Sequence, residues 1–423
     1  MFITYLMVIS YKKLMLNVND IRGHSQIKGN NILLSFVHIL AILGSMSIFT
    51  HIALLGRQPE LGLVELESIL GSDGVDPFGS QSAILASKPN LDILGGVQKL
   101  GRIIYHGPTA DLIEVLDITL LPVYDKKTPI AVSYYGLHAT TRFVLSTGLE
   151  LKNRLRHEGR SIRLITPTKG TDVTVAQLKF NRVLEDGFEL MVAINKQEMV
   201  IALTEQIQDI DWYSRRDYDR PARSAKVGML PPKLAQILVN STSAGLVVDP
   251  FCGTGVIPQE ALLSGRNTLG SDLSPEMIAA STQNLAWLEV QRPDVAGNWQ
   301  IDGPADAREL KLPAGCAVVS EGYLGPNMIH EPTGPQLAII KAELRELYLG
   351  ALSSWAPQLP DGAEVSLCVP AWRQGKRWSY LDILDALPGL SYTMKVFKHA
   401  HEPLLYARDD QIVGRQLLLI RKI

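Results

Sequence analysis

Apolar positions along this chain fall into two regimes. From about Ile48 to Leu203, short runs with strand-like alternation interleave with helical periodicity. Strands are predicted over Val132–Tyr135, Ser161–Thr166, Glu189–Asn195 and Glu198–Leu203, and a helix over Thr141–Arg156 carrying Phe143, Leu145, Leu149 and Leu155. Ile48–Leu55 reads as a short buried strand; Pro59 then suits a first helical turn and Gly71 its C-terminal cap. Such mixed elements predict α+β modules with largely antiparallel sheets. Farther on, Leu246-Val247-Val248, Thr268-Leu269-Gly270, Ala317-Val318-Val319 and Val365-Ser366-Leu367 are short apolar runs separated by helical patterns. That spacing predicts βαβ units around a parallel sheet buried on both faces. Leu404–Tyr406 and Ile412–Ile420, bracketing Asp409-Asp410, predict a closing antiparallel hairpin. Between the regimes, Asp209–Arg223 is dense in charge and aromatics but has few Gly or Ser, which predicts an ordered connector.

Composition narrows this only a little. The 423 residues exceed one compact core, and 46 % hydrophobic with 20 % charged residues excludes wholesale disorder. Three cysteines without a CxxC pair argue against a disulfide scaffold or a structural zinc site and fit a reducing cytosol. No metal is expected. From Ile32 to Gly56 there are 25 residues without Lys, Arg, Asp or Glu, long enough to span a bilayer, with Lys12, Lys13, Arg22 and Lys28 before them. Gly44-Ser45 interrupts the run, and its second half reads as the first strand of a soluble domain. Residues 1–46 are therefore expected to be an extension upstream of the folded protein. A membrane anchor through residues 32–56 and an extra helix are the lesser alternatives, and a cytoplasmic location is expected.

The segment Asp249-Pro250-Phe251-Cys252-Gly253-Thr254-Gly255 follows one strand and precedes a helix. Its glycines permit a tight turn and close backbone approach to a ligand at a helix N-terminus. A dinucleotide fingerprint wants a third glycine three residues on; this chain has Pro258. Asp249 would repel a pyrophosphate at the loop's mouth and attract a cation. S-adenosylmethionine, with its ammonium and sulfonium, fits and NAD does not. Asp272, ending the next strand, suits both ribose hydroxyls, and Asp306 suits the adenine amino group. The candidate cofactor-binding set is Asp249, Phe251, Gly253, Gly255, Asp272, Leu273, Asp306 and Ala307.

From Ile52 to Ile423 the chain resembles the THUMP-associated RNA methylases that methylate guanine N2 of tRNA. The resemblance rests on Ala53-Leu54-Leu55-Gly56-Arg57-Gln58-Pro59-Glu60-Leu61, Asp217-Tyr218-Asp219-Arg220-Pro221, Gly228-Met229-Leu230-Pro231-Pro232-Lys233-Leu234-Ala235-Gln236, and the glycine loop with Glu260-Ala261. It implies a ferredoxin-like and THUMP-type RNA-binding region over 47–205. It further implies, after the connector 206–223, a Rossmann-like class I methyltransferase domain over 224–423, with a mostly parallel seven-stranded sheet. Such enzymes carry Asp or Asn, two prolines and an aromatic after the fourth strand, because acceptors must hold the hydrogens of a poorly nucleophilic amino group while an aromatic stacks the base. Here Ser320-Glu321-Gly322-Tyr323-Leu324-Gly325-Pro326 stands in that place. Aligned on Gly325, Glu321 takes the acid's role and Tyr323 the stacking role, so these two are the catalytic candidates. Both prolines are missing, which leaves a second reading open: an RNA-binding protein that kept the fold and lost catalysis.

The balanced total charge conceals a local surplus. Leu151–Arg182 holds eight basic residues against Glu158 and Asp172. Arg154, Arg156, Arg160, Arg163 and Lys169 are therefore candidates to follow phosphates of a tRNA or other structured RNA. Trp372, Arg373 and Arg377, from Trp372-Arg373-Gln374-Gly375-Lys376-Arg377-Trp378, interleave aromatics and cations as an unstacked nucleotide requires.

Overall fold

Alternating apolar residues in the front half assemble one continuous sheet. The computed structural model describes residues 49–136, 139–223 and 229–423. Strands β1 (His51–Leu55), β2 (Val75–Phe78), β3 (Ser82–Leu85), β4 (Val97–Pro108), β5 (Thr128–Gly136), β6 (Ile162–Ile165), β7 (Phe188–Ile194) and β8 (Glu198–Ile207) run in the order β2-β3-β1-β4-β8-β7-β5-β6. Every pairing is antiparallel except β5 with β6 and β5 with β7. Helix α1 (Pro59–Leu70) starts at Pro59 and ends on Gly71 at φ +76°, as its punctuation predicts. Helix α2 (Thr141–His157) buries Val144, Leu151 and Leu155; Phe143 and Leu149 face outward instead. A salt bridge inside this sheet joins Lys99 Nζ to Glu189 Oε1 at 2.6 Å, and Ser133 and Thr204 complete the carboxylate's hydrogen bonds.

The connector is ordered, with helix α3 (Ile210–Tyr218) capped by the Asp209 side chain. Helix α4 (Pro232–Asn240) leads into the second sheet. Its strands are β9 (Leu246–Asp249), β10 (Asn267–Ser271), β11 (Trp299–Asp302), β12 (Ala317–Glu321), β13 (Glu364–Gln374), β14 (Arg377–Tyr380), β15 (Tyr392–Met394), β16 (Leu405–Tyr406) and β17 (Val413–Lys422). The main path is β11-β10-β9-β12-β13-β17-β15, parallel throughout except for β17, with β14 hairpinned onto β13 and β16 onto β17. Helices α5 (Val256–Leu263), α6 (Pro275–Gln291) and α7 (Gly334–Trp355) cover its faces. One core layer gathers Val318, Leu352, Trp355 and Trp372; the other joins α4, α5 and the back strands to Leu61 and Val64 of α1.

The two halves therefore share a core, and polar contacts reinforce the seam. Glu65 of α1 accepts from the Gly95 and Gly96 amides at 2.9 and 2.8 Å and from Asn240 Nδ2 of α4 at 2.8 Å. A Cβ on Gly95 would lie 2.0 Å from the Lys233 carbonyl oxygen, so only glycine lets these backbones meet. The extension 1–46 and most of the apolar run 32–56 lie outside the described residues. Among the described residues no helix is long and apolar enough to cross a membrane.

Candidate active site

Three strands of the back sheet end together and carry the predicted residues. β9 runs into the glycine loop, where Gly253 and Gly255 adopt φ +51° and +82° and α5 begins at once. A Cβ on Gly255 would approach Ser281 Oγ to 2.6 Å. The neighbouring strand holds the loop: the Cys252 amide donates to the Ser271 carbonyl at 2.8 Å. Asp272 completes the tie, accepting from the Gly253 amide and the Ser274 amide, both at 2.9 Å. Its carboxylate is half-buried and fixed in direction while keeping further lone pairs for hydroxyl donors.

Asp249 differs from its expected place. It lies at the floor of the loop rather than at its mouth, 1 % exposed, with Oδ1 accepting from the Phe251 amide at 3.1 Å and from Ser320 Oγ at 2.5 Å. Burial pushes its pKa up to about 8 against these hydrogen bonds, and the nearby charges of Asp272 and Glu321 act in the same direction as burial. A buried carboxylate in that condition is poised for a cation. Phe251 is half-buried and tilted against Tyr348 with ring centroids 6.3 Å apart. Leu273 is 70 % exposed beside Asp272. Asp306 is occupied: Arg308 holds Oδ2 at 2.6 Å through its guanidinium and Oδ1 at 2.8 Å through its amide, and this pairing lowers the carboxylate's pKa. An adenine amino group would have to share it with Arg308. Ala307 is buried, and its carbonyl already accepts from Trp355 Nε1 at 2.9 Å.

The acceptor segment is organised by partners that the sequence did not announce. Arg415 of β17 donates through Nε to Glu321 Oε1, and Nη2 reaches the Met229 carbonyl at 3.4 Å. Burial raises the Glu321 pKa, with Arg415 acting against it. Glu321 is therefore a paired carboxylate, not a solvated one. Gly322 is closely packed, because Tyr348 Oη fills the space a side chain would take, 2.2 Å from an added Cβ, and donates to the Tyr323 carbonyl at 3.0 Å. Tyr323 is half-exposed, as a stacking face requires. Counting back from Tyr323 as the aromatic puts Ser320, not Glu321, in the Asp or Asn place, and Ser320 is wholly buried with its hydroxyl committed to Asp249.

The two RNA candidates separate into engaged and free residues. Arg154 donates to the Ile113 carbonyl, and Arg160 to the Pro122 and Ile118 carbonyls at 3.4 and 3.3 Å, so both brace their own chain. Arg163 holds Asn181 from an exposed position, while Arg156 and Lys169 are exposed. Trp372 is a correction: it is fully buried in the sheet core and offers no face to a base. Strand β13 is buried on both faces from Val365 to Trp372 and emerges only at Arg373, so Trp372 still belongs to the buried sheet rather than to the hairpin tip. Arg373 donates to the Gln411 and Arg408 carbonyls at 3.0 and 3.2 Å and lies 5.1 Å from the ring of Trp378. Arg377 is exposed near the tip of the β13–β14 hairpin. Among the described residues no group of His, Cys, Asp and Glu is arranged to hold a metal.

A parallel sheet in this strand order, with one antiparallel strand beside its fifth, a glycine loop after its first and an acid ending its second, is the Rossmann-like class I methyltransferase fold. No protein-family model matches the chain. It is 34 % identical over 112 residues to the tRNA (guanine(10)-N2)-dimethyltransferase of Methanothermobacter thermautotrophicus, covering 25 % of this chain and 33 % of that protein. With the enzyme of the same name from Pyrococcus abyssi the identity is 36 % over 78 residues, 18 % of this chain and 22 % of that one. The chain thus spans a third or less of the length of these curated relatives. Among solved structures, TrmN from Thermus thermophilus is 14 % identical, covering 88 % of this chain and 99 % of that chain at a TM-score of 0.48. A predicted N6-adenine-specific DNA methylase from Listeria monocytogenes is also 14 % identical, over 88 % and 96 %, at 0.42. The resemblance to guanine-N2 tRNA methylases read from the sequence is borne out by the two curated relatives.

Proposed function

We propose that this chain is an S-adenosylmethionine-dependent methyltransferase acting on a base nitrogen of tRNA, with guanine N2 as the first choice of target. One observation carries the reading: a glycine loop whose amide is tied to the ribose-side acid Asp272 and which closes over the buried Asp249. The names of the curated relatives support the substrate. When bound, the cofactor supplies an electrophilic methyl group on its sulfonium. Asp272 would accept from its ribose hydroxyls, and Asp249 would offer its carboxylate to the cationic end. The Glu321 oxygen not held by Arg415 accepts a hydrogen of the target amino group, and Tyr323 stacks the base. The front region 47–205 presents the RNA as a THUMP-type module through Arg156, Arg163 and Lys169, and the reaction takes place in the cytoplasm.

The test is incubation of the purified protein with tRNA transcripts and methyl-labelled S-adenosylmethionine, followed by mass spectrometry of the nucleosides. N2-methylated guanosine is expected. Label in a different base would replace the target. Retained tRNA binding with no label in any nucleoside would replace the enzyme by a non-catalytic RNA-binding protein.

A further inference from the structure

Among the described residues, buried cations make contact ion pairs with carboxylates, with one exception. Among the described residues four cations are at least nine-tenths buried: Lys99, Arg216, Arg220 and Arg415. Lys99 pairs with Glu189 at 2.6 Å, Arg216 with Glu260 at 3.4 Å, and Arg415 with Glu321. Arg220 is 3 % exposed; Asp217 and Glu260 act on it from beyond contact distance, and Glu260 is already paired with Arg216. Its Nε and Nη2 find no hydrogen-bond partner among the described residues. Two buried guanidiniums, Arg216 and Arg220, thus face one buried carboxylate, Glu260, and this excess of positive charge signals a missing anion.

Its location says which anion. Arg220 Nη1 reaches Thr254 Oγ1 of the glycine loop at 3.5 Å. Asn284 of α6 fastens the same stretch to the loop, bonding both the amide and the carbonyl of Ala222 and donating to the Thr254 carbonyl at 2.8 Å. The loop therefore has two unlike flanks: Asp272 bonds Gly253 on one, and Arg220 meets Thr254 on the other. A ligand with hydroxyls at one end and an α-amino acid at the other needs an acid for the first and a cation for the carboxylate of the second.

We propose that Arg220 is the counter-ion for the methionine carboxylate of the cofactor. This inference rests on the cofactor reading above, and the experiment separates the two. Calorimetry compares S-adenosylhomocysteine with 5′-methylthioadenosine, which keeps the nucleoside and sulfur and lacks the amino-acid carboxylate. The wild-type protein should prefer the homocysteine compound. Arg220→Gln should weaken that compound about ten- to hundred-fold, the range of a charge-assisted hydrogen bond, while leaving methylthioadenosine within about two-fold. Arg220→Lys should restore part of the loss. Retained methylthioadenosine binding also shows that the variant is folded. Equal weakening of both ligands, or of neither, overturns the assignment of Arg220 while the cofactor reading stands. Failure of the wild type to bind either ligand overturns both.

Discussion

Arg415, on the antiparallel strand β17, holds Glu321 at the end of β12, and each side chain is largely buried. The two residues are 94 positions apart in sequence, and strand β13 runs between their strands. Removing one partner should leave an uncompensated buried charge. Arg415→Met is expected to destabilise by about 3–5 kcal/mol in chemical denaturation. Adding Glu321→Leu to that variant should recover most of the loss. A double variant no more stable than Arg415→Met would show that the pair is not what holds this corner together.

Gly322 faces Tyr348 at a distance that excludes a methyl group. Gly322→Ala should cost about 1–3 kcal/mol, the usual penalty of overpacking. Replacing Tyr348 by Leu in the same chain should lower that penalty, since the clashing hydroxyl and ring edge are removed. Thermal melts of the four proteins decide this. A silent Gly322→Ala would mean that the loop moves freely.

Asp249 should couple cofactor binding to protons. With its pKa near 8, the free protein holds this carboxyl largely protonated at pH 7. A cation seated against it stabilises the ionised form, so binding S-adenosylhomocysteine at pH 7 should release a proton, and affinity should fall as pH drops below 8. Calorimetry in buffers of different ionisation enthalpy measures the release. Asp249→Asn should abolish it; unchanged release in that variant would transfer the proton to another group.

Glu65 makes the seam between the halves pH-sensitive. Burial raises its pKa from 4.5 to about 7 despite bonds from Gly95, Asn240 and Gly96. A folded-state pKa above the unfolded value means that the folded protein binds the proton more tightly. Glu65's contribution is thus full below about pH 4.5 and is lost as pH rises toward 7, on the order of 3 kcal/mol over that window. Glu65→Gln should flatten this part of the stability–pH curve measured by denaturant unfolding. An identical slope in wild type and variant would refute the assignment.

How much of this was legible depended on how local the cause was. The glycine loop, the cap at Gly71 and the closing hairpin were readable because backbone freedom and period-two burial are written in neighbouring residues. Arg415, Asn284 and Tyr348 were not, since each acts on a segment far away in sequence and carries no motif of its own. Trp372 misled because it is the last residue of a strand stretch buried on both faces, and the basic hairpin begins only one residue later. Arg154 and Arg160 belong to the basic surplus by sequence, but their partners are the carbonyls of residues 113, 118 and 122, which no local pattern reveals. Asp249 was found by its position, but its depth is set by Ser320 and the packing of three strands.

The contact of Gly95 with the Lys233 carbonyl gives the molecule a fixed gauge length. Backbone meets backbone there, and Leu61 and Val64 pack behind it in the core shared with α4. The distance from the basic residues of the front sheet to the glycine loop is set by that joint. In the proposed reaction, a nucleotide would be selected by how far it lies from the part of the RNA the front sheet grips, with the protein acting as a ruler. Lengthening the connector would leave that measurement unchanged; widening the joint at Gly95 would shift it.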